Sequence, residues 1–168
     1  LGKHFVDEFW HVKTLEETKI NKFIDDCLEK KISLIIPTRD GELDYFSKNK
    51  SLFQEKGIHV MISDQASIST CLDKIKFSNL DKLNEYLIPS FKSISNSKKG
   101  SFVVKEQFGA GSESIEVNVS SDVALKHSLD LENPIFQPFV EGYEVSVDAY
   151  IDLKGNVKGL VMRKRELV

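Results

Sequence analysis

The reading turns on "VVKEQFGAGSES", Val103–Ser114, where a lysine on an apolar run stands just ahead of a glycine-rich loop. Glycines beside a lysine suit phosphate: with no side chains in the way, backbone amides converge on the oxygens and the ammonium supplies charge. The order of the parts separates the kinds of site. A P-loop runs from its first glycine through four residues to Gly-Lys-Ser/Thr and then into a helix. Here no lysine follows the glycines, and "IEVN" (Ile115–Asn118) reads as a strand. A protein kinase carries its lysine on the strand after the glycine loop, whereas Lys105 precedes Gly109. Neither pattern fits. Taken alone, "FGAGSES" reads equally well as a hairpin turn, with Lys105 an exposed strand residue.

After the loop, "SSDVALKHSL" has a Ser/Asp start and helical spacing at Val123, Leu125 and Leu129. "PIFQPFV" and "YEVSVDAYID" follow as strands, and "LKGN" (Leu153–Asn156) turns into a last one, "VKGLVMRKR". In "QPFVEGYEVSVDAY" (Gln137–Tyr150) the strand end Gln137–Val140 offers backbone N–H and C=O groups to the edge of an adenine, flanked by apolar side chains. Glu144 lies within reach of ribose hydroxyls. By itself the stretch is a plain hairpin with alternating residues; the ordered set of pieces argues for more.

Ahead of the loop the grammar differs. Thr14 and Glu17 read as a capping box for a helix with Ile20, Phe23, Ile24, Cys27 and Leu28 on one face, running to about Lys31. "ISLIIP" (Ile32–Pro37) and "IHVMI" (Ile58–Ile62) are apolar runs of the kind that buried parallel strands show. Between them Asp40 caps a second helix with Leu43, Phe46 and Phe53 on one face and Gly57 as its stop. Ser63 starts a third helix carrying Ile68, Cys71 and Leu72. This alternation predicts a parallel sheet with packed helices, with a boundary near residues 72–90. A leading strand with a Gly-x-Gly-x-x-Gly turn is not found. The start at Leu1 and the end at Val168, directly after a strand, read as a piece of something longer.

Composition narrows the rest. The 168 residues carry a formal net charge of −3, with lysines scattered among acids, so nothing marks a nucleic-acid or anionic-membrane surface. Neither a transmembrane run nor a signal-peptide pattern is found. Cys27 and Cys71 make no metal box or disulfide scaffold and read as buried apolar thiols in a reducing, cytoplasmic protein. His4, His11, His59 and His127 show no ligand spacing. Arg163 and Arg165, two apart on the last strand, suit either an anion or a solvated basic edge.

Five stretches together resemble the ATP-grasp superfamily, and within it the carbamoyl-phosphate-synthase-like carboxylate–amine ligases: "IIPTRDGEL", "GIHVMIS", "CLDK", "VVKEQFGAGS" and "QPFVEGYEVSVDAY". The resemblance implies an α/β chain. Residues 1–72 would be the end of a Rossmann-like pre-ATP-grasp domain lacking its first strands. Residues 73–168 would be the N-terminal part of an α+β ATP-grasp domain, incomplete at its C-terminus. It implies that Lys74 and Lys105 contact the nucleotide phosphates, and that Gly109, Gly111 and Ser112 belong to the loop closing over the β- and γ-phosphates. Gln137, Phe139 and Val140 match the adenine hinge, whose first residue is more often Glu, and Glu144 matches the ribose carboxylate.

The implied activity is activation of a small carboxylate as an acyl phosphate by ATP, for attack by an amine or other nucleophile. The implied cofactors are ATP and Mg²⁺, with the metal ligands expected beyond Val168. No metal ligand and no catalytic residue is assigned within the chain, and turnover by it alone is not expected. The alternative is a nucleotide-binding or regulatory module of the same architecture without catalysis. A third reading, an α/β scaffold whose loop is only a turn, predicts no nucleotide binding. Oligomeric state stays open, a homo-oligomer included.

Overall fold

In a computed structural model, residues 2–15, 17–94, 100–109, 111, 114–152 and 154–164 are described. The chain falls into two compact units, Leu1–Ser69 and Thr70–Val168.

The first unit is organised by a cluster of rings. Helix α1 (Ile20–Glu29) contributes Phe23, Ile24 and Cys27 to its core, and α2 (Asp40–Glu55) contributes Phe46 and Phe53. Both sets recur at helical spacing, so each helix buries one stripe. Trp10 stacks on Phe23 with centroids 5.6 Å apart, and Phe53 meets Phe23 edge-on at 5.9 Å. Against them lie Ile58 and Val60, the latter on β2 (His59–Val60), which pairs in parallel with β1 (Leu34–Ile35).

Local signals misplace several ends. Thr14 and Glu17 form a turn, Glu17 N–H donating to the Thr14 carbonyl at 3.0 Å, and α1 begins only at Ile20, after an N-cap Lys19 without a side-chain cap bond. The N-cap of α2 is Arg39, and Asp40 is instead an acid in the first turn, where the helix dipole favours it. Gly57 ends α2 at φ +76° as expected. Asp64 rather than Ser63 starts α3 (Gln65–Leu72), accepting from Ser67 N–H at 2.9 Å and Oγ at 2.7 Å. The two parallel strands are two residues long, and Leu34 and Ile36 stay exposed, because among the described residues each strand pairs only with the other.

The second unit opens with the short α4 (Lys74–Ser78) and continues through β3 (Phe102–Glu106), β4 (Glu116–Val119), α5 (Ser121–Ser128) and β5 (Pro134–Pro138). The strands form an antiparallel sheet in the order β4-β3-β5. Its core is Phe102, Val104 and Phe136 from one face of the sheet, with Ala124 of α5 against them. Val123, Leu125 and Leu129 turn outward, since α5 is too short to bury more than the single stripe that holds Ala124. On β4 the register shifts between its two pairs with β3, and Asn118 takes φ +58°, so Val117 and Asn118 bulge opposite Val103. Finally β6 (Val145–Ile151) and β7 (Val157–Lys164) make a separate hairpin, its turn held by the Asp152 carboxylate accepting the Lys154 and Asn156 amides at 2.9 Å each.

Phe53 is fully buried in the first unit's ring cluster, so Phe53→Ala should lower stability by about 3–5 kcal/mol. Urea denaturation of the two proteins measures the difference; a loss below 1 kcal/mol would mean that the cluster is not the core.

Candidate functional site

Strand β3 has two faces and uses them differently. Phe102 and Val104 point into the core, so Val103 and Lys105 point the other way. Lys105 stands opposite Ile135, and Val103 opposite Gln137, which puts Lys105 and Gln137 on one face of the sheet. That face borders a cavity of about 440 Å³ lined by Lys74, Lys105, Gln137, Phe77, Leu87, Ile88, Ser78 and Cys71. Cys71 is exposed, unlike Cys27, and does not pack as a core thiol.

Lys105 is half-buried, and burial is the main cause that pulls its pKa below the ordinary 10.5. The charge of Lys74 lowers it further, and Glu144 opposes both. Of the residues named from the sequence, Lys74 and Lys105 line one cavity, and Glu144 acts on Lys105 through its charge.

Lys74 is tied to the stem of the glycine loop. Its Nζ donates to the Gly109 carbonyl at 2.8 Å and the Gln107 carbonyl at 3.3 Å, and its amide N–H donates to Gln107 O at 3.2 Å. Asp73, 6% exposed, caps α4 by accepting the Ile75 and Lys76 amides and also accepts Gln107 Nε2 at 2.7 Å. Burial raises its pKa, but the bonds from Gln107, Lys76 and Ile75 together outweigh that and hold the carboxyl below its ordinary value. On the other side of the stem, the Glu106 carboxylate accepts the Glu132 and Asn133 amides at 2.6 and 2.8 Å.

Within the loop Gly109 and Gly111 adopt φ +90° and +87°. A Cβ at either would meet nothing within 4 Å, so the demand for glycine is conformational rather than a matter of space. Ser112, placed in the same loop from the sequence, lies outside the described residues.

Gln137, Phe139 and Val140, named from the sequence as a hinge, lie at and just beyond the end of β5. Phe136 exchanges both backbone bonds with Phe91, 2.8 Å each, on the edge of β5 away from β3. Phe139 N–H turns the opposite way, to Ser101 O at 2.9 Å. The alternation leaves the Pro138 carbonyl on the same edge as Phe136. Val140 is exposed just beyond, and Gln137 Nε2 donates to Ser90 Oγ at 2.8 Å.

Arg163 is paired on the β6–β7 hairpin, its Nε and Nη2 donating to the Asp148 carboxylate at 2.7 and 3.2 Å, and Arg165 lies outside the described residues. His127 lies 3.1 Å from the Ser114 carbonyl at the end of the loop. Among the described residues no group of three or more His, Cys, Asp or Glu is placed to hold a metal ion, and no helix is long and apolar enough to cross a membrane. Reading the sequence missed Asp73, Gln107 and Ser90. Only Asp73 carried a signal, an Asp immediately before a helix.

The ATP-grasp domain family matches residues 71–165, more than half of the chain. This chain belongs to that family. Three solved structures share the fold at low identity. One is the biotin carboxylase domain dimer of Hydrogenobacter thermophilus 2-oxoglutarate carboxylase, in complex with MgADP, ADP and bicarbonate (18% identity, TM-score 0.58, 82% of this chain and 35% of that one). The second is D-alanine–D-alanine ligase from Helicobacter pylori (15%, TM-score 0.56, 77% and 43%). The third is VanG D-Ala:D-Ser ligase from Enterococcus faecalis (20%, TM-score 0.54, 77% and 41%). The chain thus spans less than half the length of each. No curated protein matches the sequence.

Because Asp73 has a depressed pKa in the fold, it stabilises the protein above the ordinary carboxylate value of 3.8, and that contribution disappears as pH falls through its folded pKa. Asp73→Asn keeps a cap but should flatten the loss of stability below pH 3.8, read by chemical denaturation across the acid range. An unchanged acid limb would count against the Asp73–Gln107 link.

Proposed function

We propose that this chain is the nucleotide-binding part of an ATP-dependent carboxylate–amine ligase of the carbamoyl-phosphate-synthase-like type. Residues 1–72 would be the end of its Rossmann-like pre-ATP-grasp domain and residues 73–168 the ATP-grasp portion. The observation that carries the reading is one cavity holding Lys74 and Lys105 with the Gln137 hinge. Its volume of about 440 Å³ falls within the range of small-molecule sites, about 300–1,000 Å³.

Each residue has work to do in such a site. Lys105, half-buried beside Lys74, is short of negative charge, and triphosphate oxygens would supply it. Lys74 would exchange the carbonyls of Gln107 and Gly109 for phosphate, freeing the loop stem as the nucleotide enters. Gly109, Gly111 and Ser112 would then bring backbone amides over the phosphates. The Pro138 carbonyl and the Val140 amide would present an acceptor and a donor to the adenine edge, with Phe139 beside them, and Glu144 would take the ribose hydroxyls. The residues fit a nucleotide. The magnesium ion expected with ATP finds no three-residue donor set among the described residues.

The chemistry in view transfers the γ-phosphoryl group to a carboxylate oxygen, releasing ADP. An amine then attacks the acyl carbon and phosphate departs. Positioning and charge neutralisation supply most of the catalysis in such transfers. A small carboxylate as second substrate, a cytoplasmic setting and a homo-oligomeric assembly belong to the same proposal.

Calorimetry with ATP and Mg²⁺ tests it. Lys105→Ala should weaken binding about tenfold or more, equivalent to about 1.4 kcal/mol. Affinity should also fall as pH rises, starting below 10.5, because Lys105 gives up its proton earlier than an ordinary lysine. Equal affinity of the two proteins would remove the phosphate role.

A further inference from the structure

The two lysines of the cavity stand on different elements, Lys105 on β3 and Lys74 at the start of α4. They repel each other, since the charge of Lys74 is one of the causes that depress the Lys105 pKa. The hydrogen bonds that join the two elements converge on Gln107.

Gln107 prolongs β3 by one residue, its N–H donating to the Asn133 carbonyl at 2.9 Å in continuation of the ladder with β5. Its carbonyl accepts the Lys74 amide at 3.2 Å and Lys74 Nζ at 3.3 Å. Its side-chain Nε2 donates to Asp73 Oδ1 at 2.7 Å. A carboxylate only accepts, so this contact admits one orientation of the carboxamide, with N–H towards Asp73. Asp73 is 6% exposed and held in turn, because the same Oδ1 accepts the Ile75 and Lys76 amides of α4. Gln107 does not line the cavity, so whatever it does there it does through Lys74.

We propose that Gln107 is a positioning residue for the phosphate site: by clamping the start of α4 to the end of β3 it keeps Lys74 beside Lys105, and so sets the preference for a nucleoside triphosphate over the bare nucleoside. The proposal rests on the nucleotide site described above. When Lys74 Nζ leaves the Gln107 and Gly109 carbonyls for phosphate, two bonds remain to hold its backbone: Lys74 N–H to the Gln107 carbonyl, and Gln107 Nε2 to Asp73. Remove the side-chain bond and repulsion drives the ammonium groups apart. A polyanion must then gather them before it can use both, and that ordering subtracts from its affinity. Adenosine carries no phosphate and does not depend on their separation.

The test compares ATP, by calorimetry with Mg²⁺, with adenosine, by NMR titration. Gln107→Met keeps the side chain's volume and removes its N–H; it should weaken ATP binding about tenfold and leave adenosine within about twofold of wild type. Asp73→Asn retains an oxygen that can accept the same three N–H groups, and should hold ATP affinity within about threefold of wild type. Parallel losses for ATP and adenosine in Gln107→Met, the mark of a general loosening, would overturn the inference, as would an ATP affinity that this variant leaves unchanged. So would a tenfold loss in Asp73→Asn, since the charge of Asp73 rather than its bond would then be at work. All three results leave the nucleotide site standing. No binding of ATP by wild type would overturn both.

Discussion

The alternation of side chains along β3 governs what the second unit is able to do. Phe102 and Val104 are buried against Phe136 and Ala124, and Lys105, one residue on, must therefore face the cavity. Five consecutive pairs between β3 and β5 fix the register. A slip by one residue would send Lys105 into the apolar core and Val104 into the cavity, so the packing that stabilises the sheet also aims the lysine. Position and stability are here one property.

Electrostatics follows from that placement. Lys105 is pulled out of water beside Lys74, with Glu144 as the opposing charge. A lysine whose folded pKa is depressed opposes folding while protonated, and the opposition is relieved as pH rises towards 10.5. The fold tolerates this charge near neutral pH, and a bound polyanion would offset the unfavourable effect of burial and of Lys74 on it. Stored strain of this sort clusters at functional sites. The contacts of Lys74 with the Gln107 and Gly109 carbonyls show how the loop stem is held without ligand: the same ammonium that would bind phosphate closes the stem onto α4.

Much of this was legible in the sequence, where the information is local. Helical spacing located Phe23, Cys27, Phe46 and Phe53 in the first core, and the order of lysine, glycines and strand excluded two other phosphate sites. Helix starts were less legible: Thr-x-x-Glu at Thr14 satisfies a capping pattern, yet closes a turn several residues ahead of α1. The positions Val123, Leu125 and Leu129 looked like a buried face because spacing cannot tell which stripe of a short helix meets a sheet. Long-range polar contacts were invisible. Asp73 meets Gln107 across 34 positions and Ser90 meets Gln137 across 47, and neither pairing leaves a trace in the local pattern. They tie the stem of the glycine-rich loop to the start of α4, and the Ser90 segment to β5.

The most direct measurement is a crystal structure of this chain with a non-hydrolysable ATP analogue and Mg²⁺. The account predicts phosphate oxygens at hydrogen-bond distance, about 2.7–3.2 Å, from both Lys74 Nζ and Lys105 Nζ. It also predicts the base against Pro138 and Val140, and Lys74 no longer bonded to the Gly109 carbonyl. A nucleotide bound elsewhere, or phosphates touching neither lysine, would contradict it.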